Sequence, residues 1–189
     1  MVCLSCHEWG PGRLCLRCRS SIRPAPEHIL AGGVAVVAAF EHEGATKALI
    51  HHLKYRGVSA VAELAAEVLV HRLPPVPIVP IPRAISRRLK YGVDPAREIA
   101  NALARRLRVP VVSALVPPVH TPRRAGRDHS RSVPPFRLRT KPMTPVTLVD
   151  DVVTTGATVR AAVGALGADS VRLVAAASVV PSTSNVVAA

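Results

Sequence analysis

Apolar residues along the chain fall into short runs that alternate with helical stripes. Gly33 to Phe40 is a near-continuous apolar run of strand length. Glu43 to Tyr55 sets Ala48, Leu49 and Leu53 roughly on one helix face, and Val58 to Leu73 repeats the pattern with Val61, Leu64, Ala65, Val68 and Leu69. Pro75 to Arg83 reads as a short strand running into a loop stiffened by proline. Pro95 to Leu107 predicts a helix with proline at its first position and Asp94 as its cap. Val109 to Leu115 and Ser170 to Val180 read as strands, and Val159 to Leu166 as a helix. Val146 to Val149 suits a buried strand of a parallel sheet. Residues 182–189 are expected to form a disordered tail.

Residues 1–25 fit none of these patterns. They hold all four cysteines, Cys3, Cys6, Cys15 and Cys18, spaced C-x2-C-x8-C-x2-C. Two such pairs predict a tetrahedral four-thiolate zinc site. So small and polar a segment cannot bury a core, whereas zinc binding supplies about 10–16 kcal/mol to such peptides. Arg13, Arg17 and Arg19 lie close by to offset the thiolate charge. Two disulfides or a redox pair are the competing readings, and a reducing compartment disfavours both. Trp9 is expected to be the apolar plug of this module, or else an exposed ring for stacking on a base. Ser20 to His28 reads as a linker.

Charge and composition add a partner. Lys plus Arg is 25 against 12 for Asp plus Glu, a formal net charge of +13, so the surface attracts polyanions. Basic residues concentrate in Arg83, Arg87, Arg88 and Lys90, and again in Arg123, Arg124, Arg127, Arg131, Arg137, Arg139 and Lys141. Together with the cysteine module these predict binding of single-stranded nucleic acid; a substrate with several phosphates calls for the same residues. The apolar run Val34 to Phe40 is far too short to cross a bilayer, so no membrane insertion and a cytoplasmic location are expected.

The densest chemistry lies in Val146 to Thr158, V-T-L-V-D-D-V-V-T-T-G-A-T. An apolar strand ends in the acidic pair Asp150 and Asp151, and Thr154, Thr155, Gly156, Ala157 and Thr158 lead into a helix. Small residues and a glycine let backbone amides wrap an anion, and the start of the helix adds a partial positive charge. The carboxylates suit sugar hydroxyls, or a divalent metal held through water. Two carboxylates ~4 Å apart repel by about 4 kcal/mol at an effective dielectric of 20, which a turn without a ligand has little reason to bear. Phosphate on one side and a diol on the other describe a sugar phosphate.

This stretch resembles the thirteen-residue signature of type I phosphoribosyltransferases at every marked position. The resemblance implies an α/β fold with a mostly parallel central sheet flanked by helices, over residues 30–181. It implies that Asp150 and Asp151 hold the ribose hydroxyls of phosphoribosyl pyrophosphate (PRPP) and stand at the catalytic centre. It also implies that Thr154 to Thr158 hold the 5′-phosphate and that magnesium accompanies PRPP. The loop at Arg83 would bind pyrophosphate, the alternative being an ordinary turn with basic surface residues. With its cysteine module, the chain resembles the ComF/GntX family. His51-His52-Leu53-Lys54-Tyr55-Arg56-Gly57 matches that family's K-Y-x-G helix end, and Val79-Pro80-Ile81-Pro82 its V-P-V-P strand end. That resemblance implies phosphoribosyl transfer to an unknown acceptor, or an accessory role in DNA uptake and competence with single-stranded DNA and DNA-processing proteins as partners. Tyr91 to Pro95 keeps only the glycine of the family's R-G-F-N-Q, and the segment after Thr121 departs from the family's hood pattern.

Overall fold

The structure is a computed structural model and describes residues 1–30, 33–119 and 136–180. Its elements are α1 (Leu16–Ser20), β1 (His28–Leu30), β2 (Val34–Glu41), α2 (Gly44–Arg56), α3 (Ser59–Leu69), β3 (Ile78–Pro80), α4 (Ile85–Tyr91), α5 (Pro95–Leu107), β4 (Leu115–Val116), β5 (Arg137–Leu138), β6 (Val146–Val153), α6 (Ala157–Leu166) and β7 (Val171–Val179). Among the described residues a five-stranded sheet runs in the order β1-β2-β7-β6-β3. The pairs β2–β7, β7–β6 and β6–β3 are parallel, and β1 closes one edge antiparallel. The expected α/β sheet flanked by helices is therefore present.

Helices cover both faces of the sheet, which is why its central strands are apolar throughout rather than alternating. On one side α2, α3 and α5 bury Leu49, Leu53, Leu69, Ile99 and Leu103 against Val37, Ala39, Val149 and Ala175. On the other, α6 buries Val159, Ala162 and Leu166 against Val36, Leu148 and Val174. Each fully buried leucine or isoleucine contributes about 1.5–3 kcal/mol. Ion pairs from Glu63 of α3 to Arg105 and Arg106 of α5 clamp the first layer, and Glu67 joins Arg106 at 3.4 Å.

Several expected elements change on folding. Val109 to Leu115 is not a continuous strand: Val111 makes one bridge to Ile78, and Leu115 pairs instead with Leu138. Pro110 has no N–H to give a ladder, and Pro117 and Pro118 stop the run on the other side. The helix expected to Leu73 ends at Leu69 and tightens into a 3₁₀ turn over Val70–Arg72. The strand expected to stop at Val149 continues to Val153, so the acidic pair lies within it. α5 has the predicted bounds, with Asp94 accepting from the amide of Arg97. α1, β1 and α4 were not expected. The predicted tail 182–189 lies outside the described residues. No helix among the described residues is long and apolar enough to cross a membrane.

Candidate functional site

Parallel strands bring their C-terminal ends to one edge of the sheet, and β6 delivers the acidic pair there. Successive strand residues point to opposite faces. Asp151 reaches the α2 side, where the Lys54 Nζ lies 3.2 Å from its Oδ2. Its Oδ1 accepts from the amide of Val152 at 2.8 Å. Asp150 is buried, and its Oδ1 accepts from the amide of Asp151 at 2.8 Å. Burial, then the neighbouring Asp151 charge, pushes the Asp150 carboxyl well above the usual carboxylate range. Repulsion between the two acids is relieved by the Lys54 ammonium on Asp151, and Asp150 holds a proton more tightly than a free carboxyl does.

The loop beyond the strand has the shape a small-residue sequence allows. Gly156 caps α6 with φ 72° and ψ 6°, in the left-handed region. A Cβ there would stand 2.7 Å from Leu30 Cδ2 and 2.8 Å from Cδ1. Glycine is therefore required twice, by its backbone angles and by the β1 leucine seated against it. Thr154 and Thr155 are exposed, while Ala157 and Thr158 are half-buried. Thr154, Gly156, Ala157 and Thr158, with Asp150, Val152, Val153 and Val159, surround a cavity of about 10 Å³. Arg160, one helical turn on, donates to the carbonyl of Thr155 at 2.8 Å.

The other strand ends complete this edge. His42 follows β2, and its Nδ1 lies 2.9 Å from the Oγ of the fully buried Ser178 on β7. Burial, then the charges of Lys54 and Lys47, lowers the pKa of His42. Arg83 follows β3. Its guanidinium donates to the carbonyls of Lys54 at 2.7 Å and Val93 at 3.1 Å, and lies 4.9 Å from the centre of the Tyr91 ring. Tyr91 in turn meets Tyr55 at 4.8 Å between ring centres. Arg83 thus braces α4 against the end of α2, beside Asp151. α4 itself buries no residue and presents Arg87, Arg88, Leu89 and Lys90 to solvent. Lys54, His42, Ser178 and Arg160 were not singled out from sequence as site residues. For Lys54 a signal existed, its place in the K-Y-x-G helix end; for His42 and Ser178 there was none, because their contact joins residues 136 positions apart, whereas Arg160 contacts Thr155 only five positions away.

The four cysteines come together at the far end of α2. Their Sγ atoms all lie within 4.8 Å of one another, with Cys6 and Cys15 at 3.7 Å. A tetrahedral ion with metal–sulfur bonds of about 2.3 Å needs sulfur–sulfur edges of about 3.8 Å, so this donor set fits zinc. Burial pushes the Cys18 thiol up to about 12. Cys3 is drawn down to about 6: its burial raises it, but hydrogen bonds from the backbone at Cys6, Cys15 and Ser5 outweigh that. Of the three nearby arginines, Arg17 sits against Glu8 and Cys6, whereas Arg13 reaches away to Glu67.

The cysteine segment is bolted to α2. His52, buried, uses Nδ1 against the carbonyl of Leu4 at 2.8 Å; the carbonyl only accepts, so Nδ1 carries the proton. Its Nε2 then accepts from the Nε2 of His7 at 3.3 Å. A Cβ on Gly44 would stand 2.8 Å from the carbonyl of Ser21, so the start of α2 packs directly on this segment. Trp9 is not the apolar plug expected of it. It is 82% exposed, because Leu4, Leu14 and Ile22 supply the apolar contacts by packing on the main core.

Magnesium fares differently from zinc. Three of the four oxygens of Asp150 and Asp151 already have protein partners, one of them the Lys54 ammonium. Lys54 therefore already brings to the acidic pair the positive charge that a directly bound divalent cation would supply. No protein-family model matches the chain, and no curated protein matches it. The chemistry of the site rests on its own residues.

Proposed function

We propose that the strand-end site binds PRPP, in the manner of a type I phosphoribosyltransferase of the ComF kind, for transfer of the phosphoribosyl group to an acceptor. One observation carries this reading: the acidic pair and a glycine-capped helix start lie on the same strand end, five residues apart from Asp151 to Gly156. Backbone amides at Thr155 to Thr158 and the threonine hydroxyls would take the 5′-phosphate. Asp150 and Asp151 would face the ribose hydroxyls. No side chain is needed as a nucleophile, since the reaction is displacement at an activated sugar carbon. Zinc at Cys3, Cys6, Cys15 and Cys18 would hold the first segment folded and take no part in that step. Calorimetric titration of PRPP into wild type and into Asp150→Ala/Asp151→Ala tests the reading. Binding that is lost in the double variant supports it; equal affinity in both refutes it.

A second reading has its own observation. α4 is a helix with no buried residue and three outward cations, and the chain carries +13 overall. Single-stranded DNA would lie along such a face, and an accessory role beside DNA-processing proteins would follow. The basic residues Arg123, Arg124, Arg127 and Arg131 that the sequence offers for this role lie outside the described residues. Steep loss of oligonucleotide affinity with salt, unchanged in the Asp150→Ala/Asp151→Ala variant, would favour it.

A further inference from the structure

The sequence offers the acidic pair to sugar hydroxyls or to a divalent metal held through water; in the structure a side-chain cation lies against it. Lys54 lies at the end of α2, remote in sequence from β6, and α2 carries it to 3.2 Å from Asp151 Oδ2. The pair is largely withdrawn from water, with side-chain exposures of 27% and 18%. Its position is not a chance of one flexible side chain. Arg83 holds the Lys54 carbonyl at 2.7 Å, and the same guanidinium holds Val93 at 3.1 Å. The turn of helix that presents Lys54 is thereby fixed to the loop after β3. Asp151 Oδ1 is committed to Val152, so Lys54 and one backbone amide together take both oxygens of Asp151.

We infer that Lys54 is the resident cation of the sugar-phosphate site, neutralising Asp151 so that a phosphorylated ribose binds there without a divalent metal. The inference rests on the proposed reading of the site. Its physical basis is the charge that an incoming phosphate meets. With Lys54 paired to Asp151, that carboxylate presents less negative charge to an incoming dianion. Without Lys54, Asp151 would repel the phosphate, and a divalent cation would be drawn in to replace the ammonium.

Ribose 5-phosphate is the probe, because it carries the phosphate and the hydroxyls but no pyrophosphate to bring metal with it. Calorimetry is run in EDTA and in magnesium, on wild type, Lys54→Gln and Lys54→Arg, each first checked for an unchanged melting transition. Wild type and Lys54→Arg should bind equally in both conditions. Lys54→Gln should lose about tenfold or more in EDTA, as for a charged hydrogen-bonding partner removed, and regain much of it in magnesium. Wild-type binding that needs magnesium, or Lys54→Gln binding that is unaffected in EDTA, overturns the inference. If no protein binds the sugar phosphate, the reading of the site has failed, and manganese alone then decides the role of Lys54. Paramagnetic titration should show a manganese site in Lys54→Gln that is absent from wild type and lost again in Lys54→Gln/Asp151→Asn. No gain of manganese in Lys54→Gln would overturn the inference by itself.

Discussion

Gly156→Ala tests the geometry on which the anion loop depends. The alanine would hold a left-handed backbone at φ 72°, which costs about 1–2 kcal/mol. Its methyl would also stand 2.7–2.8 Å from the two terminal carbons of Leu30, well inside contact distance. Leu30 is itself buried and has little room to yield, so overpacking adds about 1–3 kcal/mol. Against this, alanine stiffens the unfolded chain, returning about 0.4–1 kcal/mol. The net loss should be about 1–4.5 kcal/mol, read from the urea midpoint at constant slope. A double-mutant cycle separates the two causes. Leu30→Ala removes both clashing carbons at a cost of about 2–5 kcal/mol for its own cavity. In the double variant the overpacking vanishes while the backbone strain persists. The two losses should therefore fall short of additive by about 1–3 kcal/mol. Additivity within about 0.5 kcal/mol would show that Leu30 does not press on the loop.

Asp150→Asn should stabilise the protein at high pH. Burial beside Asp151 raises the folded pKa of Asp150, so the folded state holds this proton more tightly than the unfolded chain does. The resulting contribution to stability is present at low pH and is lost as pH climbs from about 4 through the raised folded value. Asparagine keeps the acceptor for the Asp151 amide and has no proton to lose. Urea unfolding at about pH 4 and about pH 8 should show the variant gaining on wild type as pH rises; an equal difference at both would refute the cause. Protein purified without added metal should carry one zinc per chain by elemental analysis, with affinity falling as acid reprotonates the thiols. Chelation should release the cysteine segment and speed hydrogen exchange at Ala45, whose amide is held by Ser21; a metal-free chain with Ala45 still protected would end the zinc reading.

The sequence by itself determined those features whose cause is local. Asp94, with Pro95 behind it, places the start of α5 because a cap and a preset φ act within one turn. The paired cysteine spacing determines a metal-sized cluster, since four sulfurs on two short loops have few other ways to satisfy themselves. The glycine in T-T-G-A-T determines a left-handed residue ahead of α6. Tertiary structure decided what lies opposite these features. α4 has no buried face and so leaves no periodic signature, and it exists because Arg83, Tyr91 and Tyr55 tie it to α2. Trp9 reads as a core residue by type, but the core it would have joined is supplied by Leu4, Leu14 and Ile22 from the same segment. Only the sheet order β2-β7-β6-β3, with α2 laid across one face, sets Lys54 on Asp151 and His42 on Ser178. An ion pair between distant positions has no local cause. It appears when burial of the apolar faces of α2 and β6 brings the two charges to the same edge, where neither can stay unpaired without losing its water.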